Sequence, residues 1–395
     1  MSKRYKIGEI LEVSIEKIVP NGFGLAFAEN ITIFVSLAVK GDRLRVKIYQ
    51  LKGKIAFAEI VEIINPSAQR VEPKCVYFGR CGGCDFQQMD YETQLEAKIA
   101  IVRDCLSRIG KINYEKEIQV IGSPRDYKYR ARAAWHVDTR RKKIGYFQRN
   151  SHQIIDVETC PILTPELQKT LTELRETIEW ESFWGEIVEI EVANSGENVS
   201  IYSNEIVEPT EEIYFQANGN RYFYDAQSFF QSNPFLIELL IETATKGAKG
   251  ETALDLYCGV GLFMLPLAEN FTKVVGVEGN DRAVDFARKN TENARIEHAD
   301  IFTGNVSQWL AENANQLQGI DFILLDPPRS GTEKEIIENL LKIKPPEISY
   351  VSCEPSTLAR DLRILSESYS IESITAIDLF PQTHHVETVV RLQRI

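Results

Sequence analysis

The chain has 395 residues, 44% of them hydrophobic and 26% charged, with seven cysteines and a formal net charge of −12. That length predicts two or three cores rather than one. No run of eighteen apolar residues occurs, and Met1-Ser-Lys-Arg-Tyr5 lacks the apolar stretch of a signal peptide, so no membrane helix and a cytoplasmic location are expected.

Residues 1–63 alternate short apolar strands with turns, at 8–15, 24–28, 31–35, 43–48 and 55–63, with Pro20-Asn21-Gly22 between the first two. Five such strands predict a small OB-like β-barrel. Lys40, Arg43, Arg45 and Lys47, with Phe23, Phe27 and Phe34, suit a nucleic-acid groove; a phenylalanine core beneath a solvated charged face fits equally well.

Residues 64–234 are expected to form a small α+β central domain. It opens on a connector in which Cys75, Cys81 and Cys84 crowd together. In a cytosolic chain that clustering points to a metal or cluster site, not disulfides. A helix is predicted over 91–108, with Leu95, Ile99, Val102 and Leu106 on one face and Gly110 as its stop, packing on the domain that follows. Cys105 lies beside that stripe and reads as core. Charge is uneven along the chain. Residues 1–60 carry ten basic against six acidic side chains, 121–150 nine against two, and 151–212 two against fifteen. Local basic surface governs phosphate binding, so the negative total does not exclude an RNA partner.

Residues 235–395 alternate strands near 253–257, 274–278, 322–325, 349–352, 371–379 and 387–392 with helical segments, predicting a doubly wound parallel α/β sheet. Asp255-Leu-Tyr-Cys-Gly259-Val-Gly261 follows an apolar strand and opens a helix, and its glycines allow close backbone approach to a ligand. The third glycine of a dinucleotide fingerprint would fall at Met264, and no Gly-Lys-Ser/Thr follows, which disfavours dinucleotides and a P-loop. Glu278 closes the next strand, placed to accept from ribose hydroxyls. With the acidic Asp255, the loop suits a phosphate-free cationic cofactor such as S-adenosylmethionine. Phe322-Ile-Leu-Leu325 runs into Asp326-Pro-Pro-Arg-Ser-Gly331, and Ile348-Ser-Tyr-Val-Ser-Cys353 ends on a thiol. As parallel strands of one sheet, both would open onto the same crevice. Cys353 is then a candidate nucleophile, although burial as a structural residue is the commoner fate of cysteine.

These motifs, together with Ser352-Cys-Glu-Pro-Ser-Thr-Leu-Ala-Arg-Asp361, Ser228-Phe-Phe-Gln231-Ser-Asn233 and His385-Val-Glu387, resemble the RNA uridine-5 methyltransferases. That group includes 23S ribosomal RNA and transfer RNA enzymes, and residues 1–63 look like the TRAM domain many members carry. The resemblance covers nearly the whole chain. It implies a Rossmann-like S-adenosylmethionine domain in which Cys353 adds to carbon-6 of a uracil and Glu387 removes the carbon-5 proton, with His384 and His385 as neighbouring alternatives for proton transfer. It implies that Gln231, Tyr257, Gly259, Gly261, Leu262, Glu278, Asp300 and Asp326 surround S-adenosylmethionine, while Cys258 is packing. Glu354 beside the thiol is expected to raise its pKa unless Arg329 or Arg360 pairs with the carboxylate. Phe229, Phe230 and Phe380 are candidates to stack on a flipped base, with core packing as the default. Cys75, Cys81 and Cys84, joined by Cys160, match the family's cluster pattern. Four thiolates there imply a 4Fe-4S cluster, with zinc as the alternative. The implied partner is RNA, 23S ribosomal RNA ahead of transfer RNA, and a monomer is expected.

Three rival readings are weaker. An RNA 5-methylcytosine methyltransferase keeps a second cysteine where this chain has Pro328-Arg329, and an adenine N-methyltransferase wants an aromatic there. A decayed, purely RNA-binding chain would have no use for the complete cofactor loop, Cys353 and Glu387.

Overall fold

Apolar residues at every second position set the first sheet. In the computed structural model, which describes residues 5–205, 210–314, 316, 317 and 319–395, it contains β1 (Ile10–Ser14), β2 (Lys17–Val19), β3 (Phe23–Ala28), β4 (Ile31–Val35), β5 (Arg43–Lys52) and β6 (Ile55–Asn65). Their order is β1-β5-β6-β4-β3-β2. Ile31, Ile33 and Val35 of β4 join Leu44, Val46 and Ile48 of β5 in a core of their own. All five predicted strands are present and β2 is added. The ring stays open, because among the described residues no ladder joins β1 to β2; three-residue β2 offers too little edge to close it. Phe34 and Phe57 stack at 5.4 Å outside that core, Phe23 meets Phe57 edge-on, and Phe27 is half exposed, so these aromatics form a surface patch. Arg43 and Arg45 are paired with Glu12 and Glu62.

The helix α1 (Tyr91–Arg108) starts and stops as its sequence dictates. Asp90 accepts from the Thr93 N–H at 2.8 Å, and the N–H groups of Ile109 and Gly110 both reach the Cys105 carbonyl. Its buried face is turned from the predicted stripe. Gln94, Lys98, Ile101, Val102 and Cys105 are buried, whereas Leu95 and Ile99 are only partly covered. After β7 (Gln119–Ile121), the strands β8 (Arg132–Asp138), β9 (Lys143–Phe147), β10 (Ile154–Asp156), β11 (Ile187–Ser195) and β12 (Asn198–Tyr202) pair in the order β10-β9-β8-β11-β12. Helix α2 (Pro165–Thr177) covers that sheet over a core of Trp135, Leu167, Leu171 and Ile190. The hairpin β13 (Ile213–Ala217) and β14 (Asn220–Tyr224) sends Tyr222 and Tyr224 into the next core.

Strand–helix alternation then follows: α3 (Ile237–Thr245), β15 (Gly250–Leu256), α4 (Met264–Ala268), β16 (Phe271–Glu278), α5 (Asp281–Asn293), β17 (Ala299–Thr303), α6 (Val306–Asn313), β18 (Phe322–Leu325), α7 (Lys334–Ile343), β19 (Glu347–Ser352), α8 (Pro355–Leu365), β20 (Tyr369–Ile377) and β21 (Glu387–Arg394). The sheet order is β17-β16-β15-β18-β19-β21-β20-β7, and α1 packs on α8. Order reverses between β15 and β18, which opens a crevice at their carboxyl ends. The sheet is not parallel throughout. Strand β21 runs antiparallel to both β19 and β20, because residues 378–386 are too short a link for a parallel crossover. That reversal delivers the first residue of β21, Glu387, to the end where its neighbours finish. Among the described residues no helix is long and apolar enough to cross a membrane.

One buried ion pair ties α1 to this sheet. Lys98 Nζ lies 2.5 Å from Asp378 Oδ1, with neither side chain more than 1% exposed, and donates to the Phe380 carbonyl at 3.0 Å. The Tyr91 hydroxyl donates to the other Asp378 oxygen at 2.9 Å. Such a pair adds little net stability, yet removing one partner strands the other. Lys98→Met should therefore cost about 3–5 kcal/mol in urea unfolding, and adding Asp378→Asn should recover most of it. An unchanged unfolding midpoint for the single variant would contradict the assignment.

Candidate active site

The loop after β15 is built on strained backbone. Tyr257, Gly259 and Gly261 all have positive φ, at 65°, 54° and 87°, and a tyrosine holds that conformation only where its surroundings force it. The N–H groups of Tyr257 and Cys258 both bond to the Val277 carbonyl, and the Tyr257 hydroxyl reaches Glu333 at 3.4 Å. The Glu278 carboxylate accepts from the N–H groups of Gly259 at 3.0 Å and Asn280 at 2.8 Å. Glu278 is thus a staple for the loop as well as a polar wall.

Beside it opens a cavity of about 650 Å³. Gln231, Tyr257, Gly259, Leu262, Glu278, Asp326, Cys353 and Glu387 all line it. Gly261 supplies the left-handed turn behind the lining. Asp300 is not brought there. It sits in mid-strand on β17, opposite Val275, with its carboxylate 2.8 Å from Lys273. The polar residue at the carboxyl end of β17 is Asn305, next to Gly304, whose N–H bonds to the Glu278 carbonyl. The resemblance put Asp300 at the cofactor; no strand was predicted there, and the structure sets this residue away from the cavity lining.

Cys353 is half-buried, and Glu387 is 3% exposed. Burial pushes the Cys353 thiol up to about 12, helped by the charges of Glu387 and Asp326 and opposed by the charge and hydrogen bond of Arg329. Burial, then Asp326, holds Glu387 well above the ordinary carboxylate range, again opposed by Arg329, and Glu387 Oε1 is buried with no hydrogen-bond partner. Asp326 is raised by burial and by Glu278. Behind them Asp255 is wholly buried with neither carboxylate oxygen bonded, and is raised by burial and by Asp326. Arg132, also in the lining, is committed to Glu191 at 2.8 Å and to the carbonyls of Ala226 and Ser228. Unbonded, buried carboxylate oxygens in and just behind one cavity suit a cationic ligand.

Other expectations resolve differently. The Glu354 carboxylate turns away to cap α8, accepting from the Ser356 N–H and hydroxyl, and Arg360 pairs with Asp361. The thiol is raised by Glu387 and Asp326 instead. Burial and His384 push His385 down to about 2, and neither histidine lines the cavity. Phe230 is core, stacked on Tyr224 at 4.1 Å. Phe229 is 63% exposed at the cavity and departs from the core default, while Phe380 forms part of the wall. Arg132, Glu191 and Asn280 also line the cavity; Arg132 lies in the basic stretch 121–150 and Asn280 two residues after Glu278, whereas Glu191 carried no sequence signal.

The four remaining thiols converge elsewhere. Burial raises Cys81, Cys84 and Cys160, the last to about 11. Each is pushed further by the others: Cys81 by Cys75, Cys84 by Cys160 and Cys81, Cys160 by Cys75 and Cys81. Their loop is pinned where Cys81 bridges Gln148, Gly82 N–H bonds to the Phe147 carbonyl, and Arg149 donates to the Cys84 carbonyl at 2.8 Å. As the side chains stand, no group of three or more His, Cys, Asp or Glu among the described residues has metal-binding geometry. The mutual charge effects and the all-thiol donor set nevertheless fit a cluster or a tetrahedral ion.

Alkylation of Cys353 in the ligand-free protein should reflect its raised pKa. The rate should rise about tenfold per pH unit between pH 7 and 10 as the thiolate fraction grows. Arg329→Ala should slow it at every pH, because the one opposing charge is lost. Mass mapping of the Cys353 peptide checks both; a pH-independent rate contradicts them.

Residues 163–395 match the family model of the tRNA (uracil-5-)-methyltransferases, and residues 4–61 match the TRAM domain. The chain is 30% identical to the 23S rRNA (uracil(1939)-C(5))-methyltransferase RlmD of Pectobacterium atrosepticum, over 96% of this chain and 92% of that one. It is 32% identical to an uncharacterised RNA methyltransferase of Clostridium tetani, over 93% of each. The crystal structure of the Pyrococcus abyssi tRNA (uracil-54, C5)-methyltransferase with S-adenosyl-L-homocysteine superposes with a TM-score of 0.74 at 25% identity, covering 96% of this chain and 100% of that one. With its crevice, cofactor loop and two family matches, the chain belongs to the tRNA (uracil-5-)-methyltransferase family, as an S-adenosylmethionine-dependent RNA uracil-5 methyltransferase with a TRAM domain.

Proposed function

We propose that Cys353 is the nucleophile and Glu387 the base of this methylation, and that the RNA is 23S ribosomal RNA. The supporting observation is that both residues line one cavity with the cofactor loop, each under the charge of Arg329. Carbon-5 of uracil is a poor nucleophile until the ring is activated. Cys353 first gives its proton to water, favoured by the Arg329 guanidinium. Its sulfur then bonds to carbon-6, and the electrons of the 5,6 double bond move onto the carbon-4 carbonyl as an enolate. Carbon-5 then bonds to the electrophilic methyl group that S-adenosylmethionine would supply, the sulfur–methyl bond breaking to leave S-adenosylhomocysteine. Glu387 takes the proton from the methylated carbon-5, the double bond re-forms, and the Cys353 thiolate is expelled. A carboxylate held above its usual range is suited to accept a carbon-bound proton. Exposed Phe229 at the mouth offers a face to a base drawn from its stack.

The choice of 23S ribosomal RNA rests on the RlmD relative and on the four-cysteine pattern, against the transfer RNA named for the Pyrococcus enzyme. We further infer that Cys75, Cys81, Cys84 and Cys160 hold a 4Fe-4S cluster, zinc being the second reading. No redox step enters the chemistry, so the cluster's contribution would be to fix the connector against the central domain.

Cys353→Ala should abolish methyl transfer while leaving S-adenosylmethionine affinity within a few-fold, and Glu387→Gln should accumulate a denaturant-resistant protein–RNA band. Turnover by the first variant sinks the covalent scheme, and no band with the second removes Glu387 as the base. In a deletion strain, 5-methyluridine should disappear from 23S ribosomal RNA; loss from transfer RNA alone reverses the substrate. Purified protein should hold about four irons and four sulfides per chain, and stoichiometric zinc without iron would establish the alternative.

A further inference from the structure

Residues 378–386, the link between β20 and β21, are gripped from several directions. Gln94 of α1 exchanges two hydrogen bonds with Gln382, at 3.1 and 3.0 Å, beside the Lys98 contacts described above. The Tyr129 hydroxyl donates to the Pro381 carbonyl at 2.8 Å. From the cysteine loop, the N–H groups of Asp85 and Phe86 both bond to the Gln382 carbonyl, at 3.1 and 3.0 Å. The Asp85 carboxylate accepts the His384 backbone N–H at 2.8 Å and lies 2.5 Å from His384 Nδ1. Gln382 has φ of 68°, a left-handed conformation that persists only when neighbours over-determine it. Gly22 of the first sheet closes the back, where an added Cβ would stand 3.1 Å from the His384 Cβ and 3.2 Å from Asp85 Oδ2.

Asp85 directly follows Cys84, and His384 stands three residues before Glu387. Phe380 and Glu387, towards the two ends of this link, both line the cavity. Since Glu387 Oε1 has no partner of its own, its aim is set by the backbone that carries it. We propose that Asp85 and His384 are positioning residues: their clasp couples the four-thiol site at Cys84 to the placement of Glu387. This rests on reading Glu387 as the base. Misplacing a reacting group by about 1 Å costs on the order of a hundredfold in rate, so a clasp that fixes this link acts on proton removal rather than on ligand binding.

The test uses the full-length, metal-loaded protein with 23S and transfer RNA transcripts carrying tritium at uracil carbon-5. Asp85→Ala should lose about 10–100-fold in turnover and tritium release, with little change in S-adenosylmethionine affinity or in KM for RNA. It should also accumulate the same denaturant-resistant protein–RNA band as Glu387→Gln. Asp85→Asn, which still accepts from the His384 N–H and offers an amide to Nδ1, should restore most of the turnover. His384→Ala should reproduce Asp85→Ala and decides the matter if that variant does not fold. Because coupling is reciprocal, His384→Ala should also release its metal to a chelator about tenfold faster than the parent, although it is distant in sequence from every cysteine. Normal turnover, or turnover lost together with cofactor affinity and without the band, overturns the clasp. If Glu387→Gln gives no band the base reading itself fails; a band with Glu387→Gln but none with Asp85→Ala overturns the clasp alone.

Discussion

Acidic groups crowded in and just behind one cavity cannot all ionise at once, and the active centre is organised around that constraint. Asp255, Asp326 and Glu387 are brought together because β15, β18 and β21 all present one end to the same crevice, the last only because it runs backwards. Each is held up by burial first and by acidic neighbours second. Arg329 is the cation that bears on both the thiol and Glu387. A sulfonium-bearing ligand adds positive charge where the protein supplies too little, so its binding and the release of protons from this cavity are linked. Cofactor binding therefore favours the ionised forms of the groups around it.

The route by which RNA reaches this cavity is read from charge and aromatic surface together. A net charge of −12 would repel a polyanion if it were spread evenly, but fifteen acids are concentrated in residues 151–212. Basic side chains gather instead in 121–150, which includes the cavity-lining Arg130 and Arg132. In the first sheet, Arg43 and Arg45 already answer Glu12 and Glu62, so what that sheet offers is the exposed Lys40 and Lys47 together with the half-buried face of Phe23, Phe34 and Phe57. Stacking of that kind tolerates any base. Discrimination then belongs to the cavity and to the RNA's own shape.

Strands with strong alternation or apolar runs were legible residue by residue: 31–35 and 322–325 were predicted with the bounds they have. So was the helix 91–108, because its caps are local. Its facing was not, since Gln94 and Lys98 are buried on account of Asp378 and Gln382, partners 280 or more residues away. Polar burial of that sort leaves no periodicity to read. Strand β17 was not predicted, because it is five residues long with none fully buried and offers little alternation to read; Asp300 was assigned to the cofactor through the resemblance alone. The antiparallel turn of β21 follows from a short link, which a sequence reveals only once the end of β20 is known. Cys353, Glu278 and Asp326 were legible as residues of one crevice because a strand end and a motif coincide at each. Phe229 was not, because exposure of one phenylalanine in a pair depends on which strand its neighbour packs against.

The buried face of α1 shows what this arrangement secures. Leucines in place of Gln94 and Lys98 would each bury apolar area worth about 1.5–3 kcal/mol. That is comparable with the three hydrogen bonds of Gln94 at about 0.5–1.5 kcal/mol apiece and the two of charged Lys98 at about 1.5–3 kcal/mol apiece. An apolar face is indifferent to small shifts in register. The polar one is not, because moving α1 or the link by a fraction of a hydrogen-bond length strands Asp378, Gln382 and Lys98 together. Those same residues bracket the strained Gln382 and flank the two cavity walls, Phe380 and Glu387. What the polar face adds over an apolar one is a fixed position for this link, and the link leads directly into Glu387.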